Sequence, residues 1–423
     1  MAISEPGDAS SAAAQAQIEY TKSRGRWVIL GLLLLIIVVN FVDRQTLSML
    51  APILRRVFHL SNEGYGRIVA ALQFGMMSGE FPMGWLMDRW GARLGLTAAV
   101  LAWSAFTGAQ FFTRSGLQLG IARFWMGSTE VGSFSGGMKT VSRVFTDKER
   151  TLAIGIFNSG SVIGTTIAPL LVVFLLQHWG FRVAFLVPAL LAFCWVPIWW
   201  FIQRGDPAKP ARTEVSETPV KVLLGQSSSW AVMLCRFWIG PVMQFYWYWT
   251  PSYLYSSRHM SLMQIGLVGW IPFFLGVVGG IGGGAMAGWL QGRGVSLYNT
   301  RRITMYGSSI LCVASLAVPW MHSVTGALVL ISLVIMADNF LSANMFAAIT
   351  DLFPGRLVGR VTGLTGVSGG LSGFLLPLLT GLLVDSYSYK PVFALIAFMP
   401  IVGTVSLFLC GRSYRRPVLQ TLS

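Results

Sequence analysis

Two pairs of residues in this chain combine the side-chain types that handle protons and anions. Asp43 and Arg44 stand side by side in Asn40-Phe41-Val42-Asp43-Arg44-Gln45, with almost unbroken apolar sequence before them (27–39) and after them (47–54). One helix through the whole stretch crosses a bilayer and holds an acid and an arginine near mid-depth. A charge there costs about 2.5–3.5 kcal/mol on insertion scales, so such residues face a partner or a cavity. Arg123 and Glu130 form the second pair. Residues seven apart share nearly the same helix face, about 10 Å apart along the axis. Burial favours the protonated form of a carboxylate and a nearby arginine favours the charged form. Asp43 and Glu130 can therefore switch state as a site opens, closes or fills, which is what coupling a solute to protons requires. A static buried ion-pair network is the competing reading, because structural networks also perturb carboxylates.

The elements that must position these residues follow from composition. The chain has 423 residues, of which 54% are hydrophobic and only 11% charged. Soluble proteins carry about 25% charged residues, so this is an integral membrane protein. A spanning helix needs about 20 mostly apolar residues. Twelve such runs are present, at 27–50, 64–87, 94–113, 116–140, 152–176, 181–202, 230–255, 262–290, 302–320, 323–350, 358–384 and 389–411. The net charge of +15 does not point to nucleic acid, because the basic residues sit in short loops between the runs. With the N-terminus in the cytoplasm, the cytoplasmic loops hold the clusters around Arg24, Arg89, Lys139, Arg204, Arg301, Arg356 and Arg412, while the outer loops hold few cations. Both termini are therefore expected inside.

The longest polar interruption, 203–229, contains Pro207, Pro210 and Pro219 and divides the runs six and six. The expected organisation is a disordered tail 1–23, a six-helix bundle 24–202, a cytoplasmic loop 203–229, a second bundle 230–411 and a tail 412–423. The halves echo each other: Gly84-Trp85-Leu86-Met87-Asp88-Arg89-Trp90-Gly91-Ala92-Arg93 answers to Gly288-Trp289-Leu290-Gln291-Gly292-Arg293-Gly294. The fold class is thus all-α and membrane-integral, with twelve transmembrane helices in two pseudo-symmetric bundles. Two repeats around a midplane site is a transporter plan. Small residues spaced along a face let helix backbones approach. Gly75 and Gly79, Gly132 and Gly136, and Gly276, Gly280, Gly284 and Gly288 are expected to do so.

Several functions are excluded. The cysteines Cys194, Cys235, Cys312 and Cys410 have no paired spacing, so neither a disulfide framework nor a metal site is read. No cofactor is expected. There is no zinc-protease motif, nucleophile elbow, Walker loop or soluble domain, which argues against an enzyme and an ATP-driven pump.

Polar residues inside apolar runs are candidates for lining a substrate cavity: Asn158, Gln244, Asn339, Asn344, Thr365, Ser368 and Ser372. Each serves a ligand or an interhelical hydrogen bond equally well. Tyr246-Trp247-Tyr248-Trp249 supplies either a ring for a sugar face, with Tyr248 and Trp249 as the binding residues, or an aromatic belt. Asp338 and Arg236 are further intramembrane charges with no assigned role, and they are candidates to pair.

With these residues in view the chain resembles the major facilitator superfamily past its tail, on the loop Gly84…Asp88-Arg89…Gly91…Arg93. Within it, Asn40-Phe41-Val42-Asp43-Arg44, Arg123…Glu130 and Gly155-Ile156-Phe157-Asn158-Ser159-Gly160 are similar to the anion:cation symporters. Trp249-Thr250-Pro251-Ser252-Tyr253-Leu254, Gln264-Ile265-Gly266-Leu267, Asp351-Leu352-Phe353-Pro354 and Gly363-Leu364-Thr365-Gly366 most resemble the bacterial hexuronate and sugar-acid transporters. The resemblance implies proton-coupled symport of an organic monoanion by a monomer in the bacterial inner membrane. An organic-anion or organophosphate exchanger is the alternative. It implies Asp43 and Glu130 as proton-coupling acids, Arg44 as the cation for the substrate carboxylate and Arg123 as a charge partner. Asp88, Arg89 and Arg93, near Arg143 and Arg150, are implied as a cytoplasmic gate. The sequence departs from the family at Phe41 and Met76, where tyrosines are common, and at Glu80, where a neutral amide is expected.

Overall fold

A computed structural model describes residues 25–203 and 220–410. The tails 1–23 and 412–423 and most of the loop 203–229 lie outside the described residues. The helices are α1 Gly25–Val57, α2 Asn62–Ala109, α3 Gly116–Val144, α4 Asp147–Trp179, α5 Phe181–Ile202, the short α6 Val220–Leu224, α7 Ser227–Arg258, α8 Leu262–Val268, α9 Ile271–Gly292, α10 Leu297–Cys312, α11 Val324–Leu352, α12 Gly355–Ser386 and α13 Tyr389–Cys410.

Twelve crossings result. Helix α2 holds two of them, folded about Gly91, whose φ of 77° is the left-handed backbone that glycine alone enters readily. Helices α8 and α9 share one crossing, and a 3-10 segment Val313–Trp320 completes that of α10. Serine caps set many of the starts: Ser61, Ser115, Ser261, Ser296 and Ser323 each accept a backbone N–H from the first turn. Among the described residues, nine helical segments are long and apolar enough to cross unaided, with 62–112 counted as one. Helices α3 and α7 fall short of that measure. They carry Arg123, Glu130 and Arg236, and they complete the twelve by their length and their place among the other helices.

Glycine contacts bring the first arm of α2 against α3. A Cβ on Gly75 would lie 2.1 Å from the Phe124 carbonyl, and one on Gly79 would lie 2.0 Å from that of Ser128. Helix α3 with its charges is thereby held tight against its neighbour. Gly79→Ala is expected to cost about 1–3 kcal/mol through overpacking; a parent-like melting curve in detergent would refute that. Gly132 and Gly136 are similarly close to Ala99 and Met87. The stripe on α9 differs from expectation. Gly276, Gly279 and Gly283 meet α11, at Asn339, Met336 and Phe340, whereas Gly280, Gly284 and Gly288 meet nothing within 4 Å. The contact runs along the 3.6-residue ridge and not along a strict four-residue one.

The two halves, α1–α5 and α7–α13, meet along an antiparallel seam between α2 and α12. Asp385 accepts from the Asn62 and Glu63 backbones at 3.0 and 2.7 Å. Gly66 packs on Pro377, Phe74 on Phe374, Met77 on Gly370 and Glu80 on Gly366. Beside the seam, Ser48 donates to the Trp247 carbonyl at 2.6 Å and Tyr65 to that of Tyr248 at 2.9 Å. Continuing the register toward the end where the described chain starts and stops reaches Gly84, Gly359 and Gly363. A Cβ on any of these meets nothing within 4 Å. The seam joins the halves at the far end, and below Glu80 and Gly366 its register meets open space at these glycines, toward the terminal end.

Candidate functional site

Asp43 and Arg44, adjacent in α1, point to different partners, because neighbours on a helix diverge by about 100°. Asp43 is fully buried. Its Oδ2 accepts from Trp103 Nε1 at 3.0 Å and from Thr107 Oγ1 at 2.6 Å, both on the second arm of α2. Its Oδ1 lies 3.5 Å from Arg123 of α3, which is also fully buried. The Arg123 guanidinium sits over the Phe185 ring and leaves Nε and Nη2 without acceptors. Among the described residues Asp43 is its one countercharge within ion-pair distance.

Arg44 turns the other way and forms an ion pair with Glu130 through Nε and Oε1. The Glu130 side chain is fully enclosed, while that of Arg44 keeps 17% of its surface exposed. Glu130 Oε2 has no hydrogen-bond partner. Arg44 lines a narrow crevice with Phe41, Gln45, Trp247 and Tyr248, too tight in this state to hold a water molecule. Phe41 lies under the guanidinium at 4.9 Å. One arginine thus stands between a buried acid and a space walled by both halves. That arrangement lets an entering carboxylate compete with Glu130 for the same guanidinium, whose planar fork suits two-point binding.

Among the other cavity candidates, Tyr248 is on the crevice wall beside Arg44. Gln244 lies across Gly373 with its Oε1 unpartnered. Asn158 is exposed on α4. The rest are engaged elsewhere. Trp249 is 1% exposed and packs edge-on to Tyr65 in the seam, so it is neither cavity wall nor belt. Asn344 accepts from Arg301 at 2.9 Å and donates to the Gly283 carbonyl at 3.2 Å, inside a network with Asp351. Asn339 donates to the Ile335 carbonyl at 3.0 Å. Thr365, Ser368 and Ser372 are buried and donate to the carbonyls of Thr362, Met233 and Gly369. Buried hydroxyls find backbone partners because an unmet one costs about 1–3 kcal/mol. Residues 366–370 have the letters of a nucleophile elbow, but they lie within α12 and not on a strand-to-helix turn.

At the terminal end, Asp88 pairs with Lys139 at 2.7 Å, a cation outside the expected gate set. Lys139 is one turn nearer mid-membrane than Arg143 on the same face of α3. Arg89 lies over Trp85 at 5.2 Å, Arg93 donates to the Trp200 carbonyl at 3.0 Å and Arg150 to that of Ser142 at 3.0 Å. Each of these contacts ties the first half to itself. Arg236 and Asp338 do not form an ion pair among the described residues.

Sequence reasoning passed over Trp103, Thr107 and Gln45. Trp103 and Thr107 are one turn apart in an apolar run, and that spacing was the available signal.

Twelve crossings in two joined halves, with charges buried at mid-depth, define a polytopic solute carrier. The family model described as Major Facilitator Superfamily matches residues 33–375 and 296–421, and the chain belongs to that superfamily. It is a multi-pass membrane transporter and not an enzyme. It is 26% identical to the hexuronate transporter of Escherichia coli (strain K12) over 402 residues, covering 90% of this chain and 93% of the relative. It is also 26% identical to the probable galactarate/D-glucarate transporter GarP of the same strain, over 90% of this chain and 95% of that one. The inward-open xylose transporter XylE from E. coli has the same fold, with a TM-score of 0.72 at 13% identity over 90% of this chain and 95% of that chain.

Proposed function

We propose that this chain carries a sugar-acid anion, of the hexuronate or related aldonate and aldarate class, together with protons across the bacterial inner membrane by alternating access. The observation that carries the reading is the Arg44–Glu130 pair on the wall of a cavity shared by both halves. The names of the relatives supply the substrate class. When a substrate carboxylate takes Arg44, Glu130 loses its countercharge in an enclosed place. A proton then neutralises it more cheaply than an unpaired buried charge can be borne. Asp43, one residue away and held by Arg123, is the second acid of the proposed coupling. The parted terminal end is the inward-open state in this reading, with both termini cytoplasmic.

The direct test is uptake of radiolabelled D-galacturonate and D-glucuronate in proteoliposomes with and without an imposed pH gradient. Accumulation that follows the gradient supports symport. Counterflow that ignores the gradient would turn the reading into anion exchange.

Arg44→Lys is expected to weaken substrate binding at least about tenfold, because lysine offers a point charge where a planar fork is proposed. A binding titration that gives the parental affinity would reduce Arg44 to a structural partner of Glu130.

A further inference from the structure

The second half carries its own acid at the place matching Glu130. Helices α3 and α11 both have 29 residues, both begin after a serine cap, and both end at an extended phenylalanine. Glu130 and Asp338 each stand fourteen residues beyond the first residue of their helix (116 to 130, 324 to 338). Both are buried and both leave one carboxylate oxygen without a partner. The arginine acting on Asp338 is Arg236 of α7, as Arg44 of α1 acts on Glu130. There the likeness ends, because Arg44 grips Glu130 whereas Arg236 makes no hydrogen bond or ion pair among the described residues.

Arg236 lies instead over the Phe346 ring at 5.3 Å and against α12, where a Cβ on Gly369 would meet its Nε at 2.8 Å. One turn away on the same face of α12, a Cβ on Gly366 would meet Glu80 Oε2 at 3.2 Å. The guanidinium of the second half and the carboxylate of the first half thus rest on neighbouring glycines of one helix. Glu80 too has no hydrogen bond or ion pair among the described residues. The two carboxylates acting on Arg236 are Asp338 in its own half and Glu80 in the other. Glu80 also stands at the end of the seam described above, next to the open space at Gly84, Gly359 and Gly363.

We propose that Glu80 and Arg236 form a latch between the halves. In the present state Arg236 stands unbonded between Asp338 and Glu80. When the terminal end closes, the lower part of α2 swings onto α12, and Arg236 pairs with Glu80 across the bare surface of Gly366 and Gly369. Both are positioning residues: they set the balance between the two faces of the carrier and need not touch the solute. This rests on the alternating-access reading above, but not on which anion is carried or whether protons drive it.

The test uses Ser48, which is fully buried against Trp247 of the other half and is uncovered only when the far end opens. Cys194 and Cys410, the two cysteines that are not buried, are first replaced by serine. Ser48→Cys is then labelled with a membrane-impermeant maleimide in the detergent-solubilised full chain. Glu80→Gln and Arg236→Gln are each expected to slow labelling about fivefold, the effect of losing one ion pair of about 1 kcal/mol. The double variant is expected to be no slower than either single one, because both remove the same interaction. Glu80→Asp keeps the charge and is expected to keep the parental rate.

Unchanged labelling in a folded Glu80→Gln protein overturns the latch, whether or not Arg236→Gln folds beside Asp338. So does a double variant slowed by the product of the two single effects. A parent that never labels at position 48 overturns alternating access, and the latch with it. A parent that labels but ignores Glu80 overturns the latch alone.

Discussion

Glu130→Gln is expected to abolish accumulation of substrate against its gradient while leaving substrate binding and counterflow intact. Glutamine keeps the shape of the side chain but cannot exchange a proton. Glu130 is enclosed by protein and its partner Arg44 is partly open to the cavity. Removing the acid therefore frees Arg44 for the substrate carboxylate, and affinity is expected to hold or rise. The cycle then lacks the step in which a vacated carboxylate takes up a proton. Proton-driven uptake should fall to the level of empty vesicles, and counterflow should stay close to the parent. If the variant still concentrates substrate when a pH gradient is imposed, Glu130 is not a coupling residue.

Asp43→Asn is expected to fail differently, because its partner cannot turn to water. Arg123 is fully buried, and two of its guanidinium nitrogens already lack acceptors. Removing one member of a buried ion pair costs about 3–5 kcal/mol. The amide can still accept from Trp103 and Thr107, so the loss is specifically that of charge. The variant should melt well below the parent in detergent and should not transport. Replacing both charges, Asp43→Asn with Arg123→Gln, should recover most of the stability, since a neutralised pair leaves no uncompensated charge. Transport should stay lost if Asp43 also carries a proton. A double variant that transports would make the pair purely structural. An Asp43→Asn protein that melts like the parent would show that Arg123 has another countercharge.

The contrast between these two acids illustrates what was legible in the chain. Their types and depths could be read from apolar runs interrupted by charges. Which arginine belongs to which acid could not. Asp43 and Arg44 are neighbours in sequence, and the helix turns them onto different faces, one toward Trp103 and Arg123 and the other toward Glu130 and the cavity. The amides and hydroxyls were the least legible residues in the sequence. A polar residue in a spanning helix must satisfy its hydrogen bonds somewhere, and sequence does not say whether the partner is a ligand or a carbonyl. Asn344, Thr365, Ser368 and Ser372 proved to be occupied by their own fold. Lys139 was not picked out as the partner of Asp88, because a helix face is visible in sequence but depth along that face depends on how two helices slide past each other.

The sequence by itself determined that the chain crosses the membrane twelve times in two related halves with charges at mid-depth. Hydrophobic run length is a local quantity, and the cost of an unpaired peptide group in hydrocarbon forces each run to be helical. Only the tertiary structure decided that the halves join along Asn62–Asp385 to Glu80–Gly366 and not beyond it, and that Arg44 pairs with Glu130 while Arg123 pairs with Asp43. It also decided that Arg236 and Glu80 lie on adjacent glycines of one helix. These are distances between residues tens to hundreds apart in the chain, and they are fixed by how glycine faces, buried pairs and ring contacts let twelve helices pack against one another.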